Sequence, residues 1–524
     1  MITYMLVGVT DMTAYCTKKL LASCLIHHKG GDSMSLLKIT EELLNKTLTE
    51  NGDVAYHTSL SYCLDYFSLI GAMRGKLHFV TPLFIKAYHE DPRKAVKLLF
   101  YTRDIRGGLG ERGLFRYLLN YLANTNPLIA GQLIKYIPEY GRYDDLLVLL
   151  KTPVEDEVVN FIYQQLLSDK ENKKNNKPIS LLGKWMPSIN TSNDEARHLA
   201  CYLADKLNMS KAEYRKMLSS LRKGIIVENN LREKDYTFDY ASVPGLAMQK
   251  YNEAFDRNDE ERFNKYLKDL AENKTKMNVS TMDVVSLVDD LEPKSDNNFV
   301  ETAWKKIVED DVKLNRRTLV VRDGSGSMYP NAIKIADAMT LLTAERLQGE
   351  FHNRFITFSA DPEFVDLTSC STLSEKKDYL ENFDDCSNTN IEKVYDLILD
   401  IYQHKDFKKE DALEQILIIS DMEFDEATED MLTEKALSLN STFMKFDKKF
   451  SQLGYKRPQV IFWNVNAHGV HTPVTKDQTG TILVSGQSKN IIDMVIMNDA
   501  IDPMAFMNKT LEKYAFVDEL TWEA

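Results

Sequence analysis

The sequence predicts a multidomain protein, in which an all-α domain of helical repeats precedes an α/β domain with a doubly wound sheet. The chain has 524 residues, more than one ordinary domain holds. Up to about residue 270, apolar residues recur at three- and four-residue spacing, and beyond residue 316 short apolar runs alternate with helical patterns. We therefore expect a leader of unassigned role at 1–33, a helical domain at 34–296, a linker or interdomain segment at 297–316 and an α/β domain at 317–524.

The helical domain is predicted from short amphipathic segments with short connections. Helices of this size cannot bury their own apolar faces, so they must stack on their neighbours. This is typical of a HEAT-like repeat array, which can close into a ring. We expect the charged, Asn-rich segment 168–178 to be an exposed loop. The clearest helical segments are 93–101, 113–122, 127–136, 144–150 and 155–167.

The α/β domain is predicted from strand-sized runs that are apolar throughout. Such runs indicate strands buried on both faces, which is typical of a mainly parallel sheet covered by helices. In sheets of this kind, ligands bind at the carboxyl ends of the strands. The predicted strands are 318–321, 355–358, 363–366, 416–420, 460–464 and 481–484, and the helices between them are 330–347, 391–402 and 429–450.

Composition excludes several classes of protein. Hydrophobic residues make up 44% of the chain and charged residues 27%, which is the balance of a globular protein. No run of about 18 apolar residues occurs, so a membrane span is not expected. The first basic residue is Lys18, which does not fit a secretory signal, and the six cysteines contain no CxxC pair. We expect free thiols and a cytoplasmic protein.

One motif carries metal-binding chemistry. The run VVRDGSGSMYP places Asp323, Ser325 and Ser327 at the end of the first predicted strand of the sheet. Thr389 lies in a loop before a predicted helix, and Asp421 directly follows a buried strand. Carboxylate and hydroxyl oxygens suit Mg²⁺ or Mn²⁺. The alternative is a strand-to-helix turn in which the serines only cap a helix.

These five residues resemble the metal-ion-dependent adhesion site of the von Willebrand factor A domain family. The resemblance covers residues 317–524 and implies that Asp323, Ser325, Ser327 and Thr389 coordinate the ion directly or through water. It also implies that Asp421 acts through water. Arg322 departs from the apolar residue that is usual beside this motif.

Basic residues are concentrated in the middle of the chain. Residues 91–230 carry 22 Lys and Arg against 16 Asp and Glu, whereas residues 301–524 carry 25 against 39. In the middle segment they are interleaved with Tyr and Trp, which offers RNA both phosphate contacts and stacking faces. The alternative is that these arginines form ion pairs on packed helices, as Arg103 would with Asp104 or Arg142 with Asp144. The candidate RNA-binding residues are Arg103, Arg106, Arg112, Arg116, Lys184, Arg215 and Lys216.

The order of the two parts resembles the Ro ribonucleoprotein, or TROVE, family, with RGGLGERG at 106–113 and GRYDDL at 141–146 in the helical half. Residues 51–74, 243–257 and 483–488 are more similar to a related, poorly characterised family of bacterial, viral and plant proteins. The resemblance to Ro implies a ring that binds structured noncoding RNA on its basic outer face. It also implies that single-stranded ends of defective RNA enter the cavity.

We therefore expect a non-catalytic RNA-binding protein with a divalent-metal site, with no DNA ligand and no membrane association. The rival hypothesis is a metal-dependent protein-interaction adaptor without RNA, in which a partner's Asp or Glu completes the coordination of the ion. A hydrolase is disfavoured because no arrangement of Ser, His and carboxylate stands out. His468 and His471 only flank a predicted turn.

Overall fold

A computed structural model of the chain describes residues 44–49, 51–223, 227–291, 298–310, 314–384, 389–404, 407–424 and 439–522. In this structure a helical N-terminal half is followed by a mixed, mostly parallel sheet with helices on both faces. The helices of the first half are α1 Tyr62–Leu69, α2 Leu77–Glu90, α3 Pro92–Arg103, α4 Arg112–Thr125, α5 Pro127–Leu133, α6 Ile137–Tyr140, α7 Glu155–Lys174, α8 Leu182–Trp185, α9 Asp194–Lys206, α10 Lys211–Arg222, α11 Val227–Glu233, α12 Gly245–Ala271, α13 Val284–Asp289 and α14 Asn298–Asp310.

Capping residues explain where several of these helices begin. The Asp91 carboxylate accepts the backbone N–H of Lys94, and Pro92 occupies the first position of α3, where a missing N–H costs nothing. At the start of α10, Ser210 and Glu213 form a capping box in which each side chain accepts the other residue's backbone N–H. These local signals agree with the apolar spacing that predicts the helices.

The structure differs from the predicted boundaries at two segments. The segment 168–178, expected to be an exposed loop, is helical as far as Lys174, because α7 places acidic residues in its first turn and Lys173 and Lys174 in its last. The expected linker at 297–316 contains α14, whose Trp304 is buried and donates its indole N–H to Glu345, at 2.8 Å. The first segment is therefore helical over most of its length but still largely exposed, whereas α14 is a packed part of the fold.

Near the start of the described residues, a short antiparallel hairpin follows two helical residues, 44 and 45. Strand β1 is Lys46–Leu48 and strand β2 is Val54–Tyr56. Their pairing is extended by a single bridge between Tyr56 and Thr472, which belongs to the second half. The leader expected at 1–33 lies outside the described residues.

The six-stranded sheet has the order β5-β4-β3-β6-β7-β8. Only the edge pair β4–β5 is antiparallel. From β3 the chain first moves to one side, to β4, and then to the other side, to β6. The topological switch point, where ligands of such sheets bind, therefore lies between β3 and β6. The strands are β3 Thr318–Asp323, β4 Arg354–Phe358, β5 Phe364–Asp366, β6 Gln415–Ser420, β7 Gln459–Asn464 and β8 Thr481–Ser485.

Alternate residues of the strands face two separate apolar cores. Val320 belongs to a core that continues into the helical half, whereas Leu319 and Val321 belong to a second core. This alternation follows from the period of two in a strand. The helices that cover the sheet and complete the second half are α15 Ala332–Arg346, α16 Leu373–Leu380, α17 Ile391–Gln403, α18 Leu439–Gln452, α19 Asn490–Ile496 and α20 Pro503–Leu511.

The two halves are in direct contact through small residues and aromatic rings. The backbone N–H of Gly71 donates to the hydroxyl of Ser485, at 3.0 Å, at the carboxyl end of β8. Phe506 of α20 packs against Phe67 of α1 with ring centroids 5.8 Å apart. The described parts of the chain contain no helix with the length and apolar character that a membrane crossing requires.

Candidate metal centre and basic surface

The loop after β3 brings three of the predicted metal ligands together. Asp323 is the last residue of β3 and is buried, and its carboxylate accepts the backbone N–H of Ser325, at 2.9 Å. The hydroxyls of Ser325 and Ser327 lie 3.2 Å apart. A single turn of 3-10 helix, Gly326–Met328, produces this approach. Three oxygen-bearing side chains therefore share one tight loop.

The second predicted carboxylate lies close to the first. Asp421 follows β6, the strand beside β3, and both carboxylates are 1% exposed. Burial, together with the nearby charge of Asp421, raises the pKa of Asp323 to about 7, although hydrogen bonds from Ser420 and Ser325 oppose the shift. A cation is favourable beside two buried carboxylates, because its positive charge offsets the repulsion between them.

Thr389 and Ser420 add hydroxyl groups to this region of the chain. Thr389 is 1% exposed and precedes α17, which Asn390 caps by accepting the backbone N–H of Lys393. Ser420, the last residue of β6, donates a hydrogen bond to Asp323, a contact that the sequence analysis missed. It could have been found from register, because β3 and β6 pair Arg322 with Ile419 and so bring Asp323 level with Ser420.

The chemistry of these donors fits a hard divalent ion. They offer two carboxylates and several hydroxyls, which is the oxygen-only set that Mg²⁺ and Mn²⁺ accept, with positions left for water or an incoming ligand. Among the described residues, no group of three or more His, Cys, Asp and Glu side chains is arranged to hold a metal ion.

Two histidines contact carboxylates at this edge of the sheet, although they were expected to be ordinary residues beside a turn. His468 Nε2 lies 3.2 Å from Asp421 Oδ2, and His471 Nε2 lies 3.2 Å from Glu423 Oε1. Both histidines follow β7, the neighbour of β6 in the sheet. Their partners depend on strand order, which the sequence alone does not supply.

Arg322, the residue that departs from the family pattern, is a buried cation beside the site. Its Nε donates to Asp337 of α15, at 2.7 Å, and its Nη2 donates to Asp384. Burial by itself would lower the pKa of Arg322, but the two carboxylates hold it above its usual value. The strand end is therefore tied to α15 and to the segment after α16.

The structure removes Arg103 from the predicted RNA-binding set. Its side chain is 2% exposed, and its Nε donates to Asp145, at 2.7 Å. Arg116 also pairs with Asp145, at 2.6 Å, and with Asp144. The GRYDDL segment thus supplies the counter-charges of these two arginines. For Arg103 the ion-pair interpretation is correct, because a buried guanidinium cannot reach a phosphate.

The other predicted basic residues are on the surface. Arg106, Arg112, Arg215 and Lys216 are exposed, and Lys184 is half-buried with its ammonium 5.2 Å from the centre of the Trp185 ring. Partial burial and the nearby charges of Arg142 and Arg116 lower the pKa of Arg112.

Arg142, which was not in the predicted set, stacks on Trp185 at 3.7 Å. Its side chain is 23% exposed and its guanidinium also pairs with Asp144. It therefore joins Arg112 and Arg116 in one cationic cluster next to an aromatic ring.

Fold and site together define a class of protein: a helical region followed by a mostly parallel sheet with carboxylates and hydroxyls gathered at its strand ends. Residues 49–178 and 156–321 match the family described as Domain of unknown function (DUF2828), and residues 317–517 match Domain of unknown function (DUF7788). The first family spans more than half of the chain, which therefore belongs to it. The boundary between the two families falls at β3.

A viral protein is similar over almost the whole chain. The "Uncharacterized protein L728" of Acanthamoeba polyphaga mimivirus is 30% identical over an alignment of 514 residues that covers 90% of this chain and 88% of the viral protein. The helical half and the sheet half therefore occur together in the viral relative.

Proposed function

We propose that the chain is a non-catalytic RNA-binding protein whose second half is a von Willebrand factor A-like domain that binds Mg²⁺ or Mn²⁺. The observation that carries the metal site is the burial of Asp323 and Asp421 at the switch point of the sheet, where each carboxylate disfavours the charge of the other. Asp323, Ser325, Ser327 and Thr389 would hold the ion, and Asp421 would act through water. The ion supplies a positive charge that accepts an oxygen ligand.

Arg112 is the strongest support for RNA binding. It is exposed, and no ion pair or hydrogen bond of its side chain occurs among the described residues. Arg103, Arg112, Arg116 and Arg142 together face Asp144 and Asp145, so four positive charges meet two negative ones. The excess of two suits a phosphate backbone. Trp185 beside this cluster offers an aromatic surface.

RNA that copurifies with the native protein tests this proposal. The protein is purified with and without Mg²⁺, and bound RNA is sequenced and then rebound at increasing salt. Arg112→Ala is expected to weaken binding and to reduce the slope of log affinity against log salt by about 1, because one phosphate contact is lost. Arg232→Ala is the matched control, since Arg232 is 73% exposed and lies outside the basic segment. A slope that is unchanged in Arg112→Ala contradicts this use of the cluster.

A protein-interaction adaptor is the second candidate, and a cleft next to the metal loop favours it. The cleft has a volume of about 600 Å³ and is lined by residues from α13, α15 and α16, with Tyr329 and Asp384 beside the loop. A partner seated there would bring an Asp or Glu within reach of the ion. A preparation free of RNA that binds one protein only in the presence of Mg²⁺ supports the adaptor and contradicts the RNA proposal.

A further inference from the structure

One carboxylate receives hydrogen bonds from both ends of the metal loop. Arg322, one residue before Asp323, donates its Nη2 to Asp384 Oδ1. Tyr329, two residues after Ser327, donates its hydroxyl to Asp384 Oδ2, at 2.6 Å. The two donors therefore flank the whole Asp323–Ser327 segment, and Asp384 joins them.

Backbone packing adds to this connection. A Cβ placed on Gly324 would lie 3.2 Å from the carbonyl oxygen of Phe383 and 3.7 Å from Cα of Asp384. A side chain at position 324 would thus meet residues 383–384 tightly, and one of the two segments would have to shift by a few tenths of an ångström. Glycine permits the approach that the two hydrogen bonds then fix.

The charges around Asp384 explain why this arrangement is stable. The Arg322 side chain is 0% exposed and balances the carboxylates of Asp337 and Asp384, which are 14% and 18% exposed. A buried cation without these partners would cost several kcal/mol. It would also repel a metal ion bound at the neighbouring residue, Asp323. Asp384 therefore both compensates Arg322 and holds the loop.

We infer that Asp384 is a positioning residue for the metal site: by joining Arg322 to Tyr329 it holds Asp323, Ser325 and Ser327 in the arrangement that binds a divalent ion. The inference rests on the proposed metal site. Its physical basis is that a loop already ordered before the ion arrives loses less conformational entropy on binding. Asp384 itself does not contact the ion.

Mn²⁺ binding to the full chain, measured by electron paramagnetic resonance, tests the inference. In Tyr329→Phe one hydrogen bond to the carboxylate is lost without a change of charge, and Tyr329 is 45% exposed, so the fold is expected to persist. The expected dissociation constant for Mn²⁺ is about three- to tenfold higher than in the wild type. The thermal midpoint of the metal-free protein is expected to stay unchanged.

Tyr379→Phe is the matched control. Tyr379 lies in α16, is 40% exposed, and packs its ring against Phe383. Loss of its hydroxyl should leave Mn²⁺ affinity unchanged. Asp384→Asn is the second test variant, and a larger loss of affinity than in Tyr329→Phe is expected, because Arg322 then loses one of the two carboxylates with which it pairs.

The outcomes separate the inference from the proposal on which it rests. Wild-type affinity in Tyr329→Phe overturns the role of Asp384 and leaves the metal site standing. Equal loss in Tyr329→Phe and Tyr379→Phe also overturns it, because the effect would then be a general one. Absence of bound Mn²⁺ in the wild type overturns the metal site and this inference together.

Discussion

The hydroxyl of Thr49 donates a hydrogen bond to the backbone carbonyl of Phe424, at 2.6 Å, across 375 positions of sequence. Next to it, the side-chain amide of Asn51 donates to the carbonyl of Glu423, at 2.7 Å. The hairpin at the start of the described helical half therefore holds the loop that follows Asp421. Metal site and helical half are joined at this point.

Thr49→Val is expected to lower the free energy of unfolding by roughly 1–2 kcal/mol, because the buried carbonyl of Phe424 loses its donor. Urea denaturation measures the change. Thr81→Val is the control, since the Thr81 hydroxyl donates a hydrogen bond to the exposed hydroxyl of Tyr117. Equal stability of the two variants would mean that the hairpin contributes nothing to the contact between the halves.

Arg103→Met is expected to lower the free energy of unfolding by about 3 kcal/mol, because the buried carboxylate of Asp145 loses one of its two guanidinium partners. The pairing of Arg116 with Asp145 remains and limits the loss. Arg103→Met combined with Asp145→Asn should cost less than the sum of the two single changes. Additive changes in a double-mutant cycle would exclude the ion pair as the cause.

Gly71→Ala is expected to destabilise the contact between the two halves. A Cβ at this position would lie 2.4 Å from the carbonyl oxygen of Ser485, so the backbone must shift. Gly113→Ala is the control: it lies in α4, and a Cβ there meets nothing within 4 Å. Thermal denaturation should show a lower midpoint for Gly71→Ala and an unchanged or higher one for Gly113→Ala.

Asp337 is expected to make the stability of the metal-free protein depend on pH. Burial raises its pKa from 3.8 to about 6, although Arg322 opposes the shift. The folded state therefore binds this proton more tightly than the unfolded state, and stability falls as the pH rises from about 4 to 6. Asp337→Asn removes this contribution. The free energy of unfolding of the wild type, relative to that of the variant, should therefore fall over the same pH range. A constant difference in chemical denaturation from pH 4 to pH 7 contradicts the shifted pKa.

Much of the fold could be predicted from the sequence because apolar spacing is a local signal. The buried run at residues 416–419 and its counterparts identify all six strands of the sheet to within a few residues. Helix α14 was missed at the expected linker because its flanking residues are polar. Its buried face consists of few residues, among them Ala303, Trp304 and Ile307. The contact of Trp304 with Glu345 of α15 identifies this face only once the structure is known.

The candidate site could be predicted only in part. Asp323, Ser325 and Ser327 lie in one stretch of sequence, so their proximity is visible there. The partners of Arg103 and Asp421 lie 42 and 47 positions away, at Asp145 and His468, and depend on how helices and strands are ordered in space. The sequence suggested only the neighbouring Asp104 as a partner of Arg103, because a single sequence reveals local pairs and not those made by packing.

Calorimetric titration of the full chain with Mg²⁺, for the wild type and Asp323→Asn, tests the central claim most directly. One site is expected in the wild type, and its loss is expected in Asp323→Asn, since the variant removes the charge that faces Asp421. The fold should persist, because Asn keeps the volume of Asp and can still accept the N–H of Ser325. No binding to the wild type, or equal binding to both proteins, would contradict a metal site at the ends of β3 and β6.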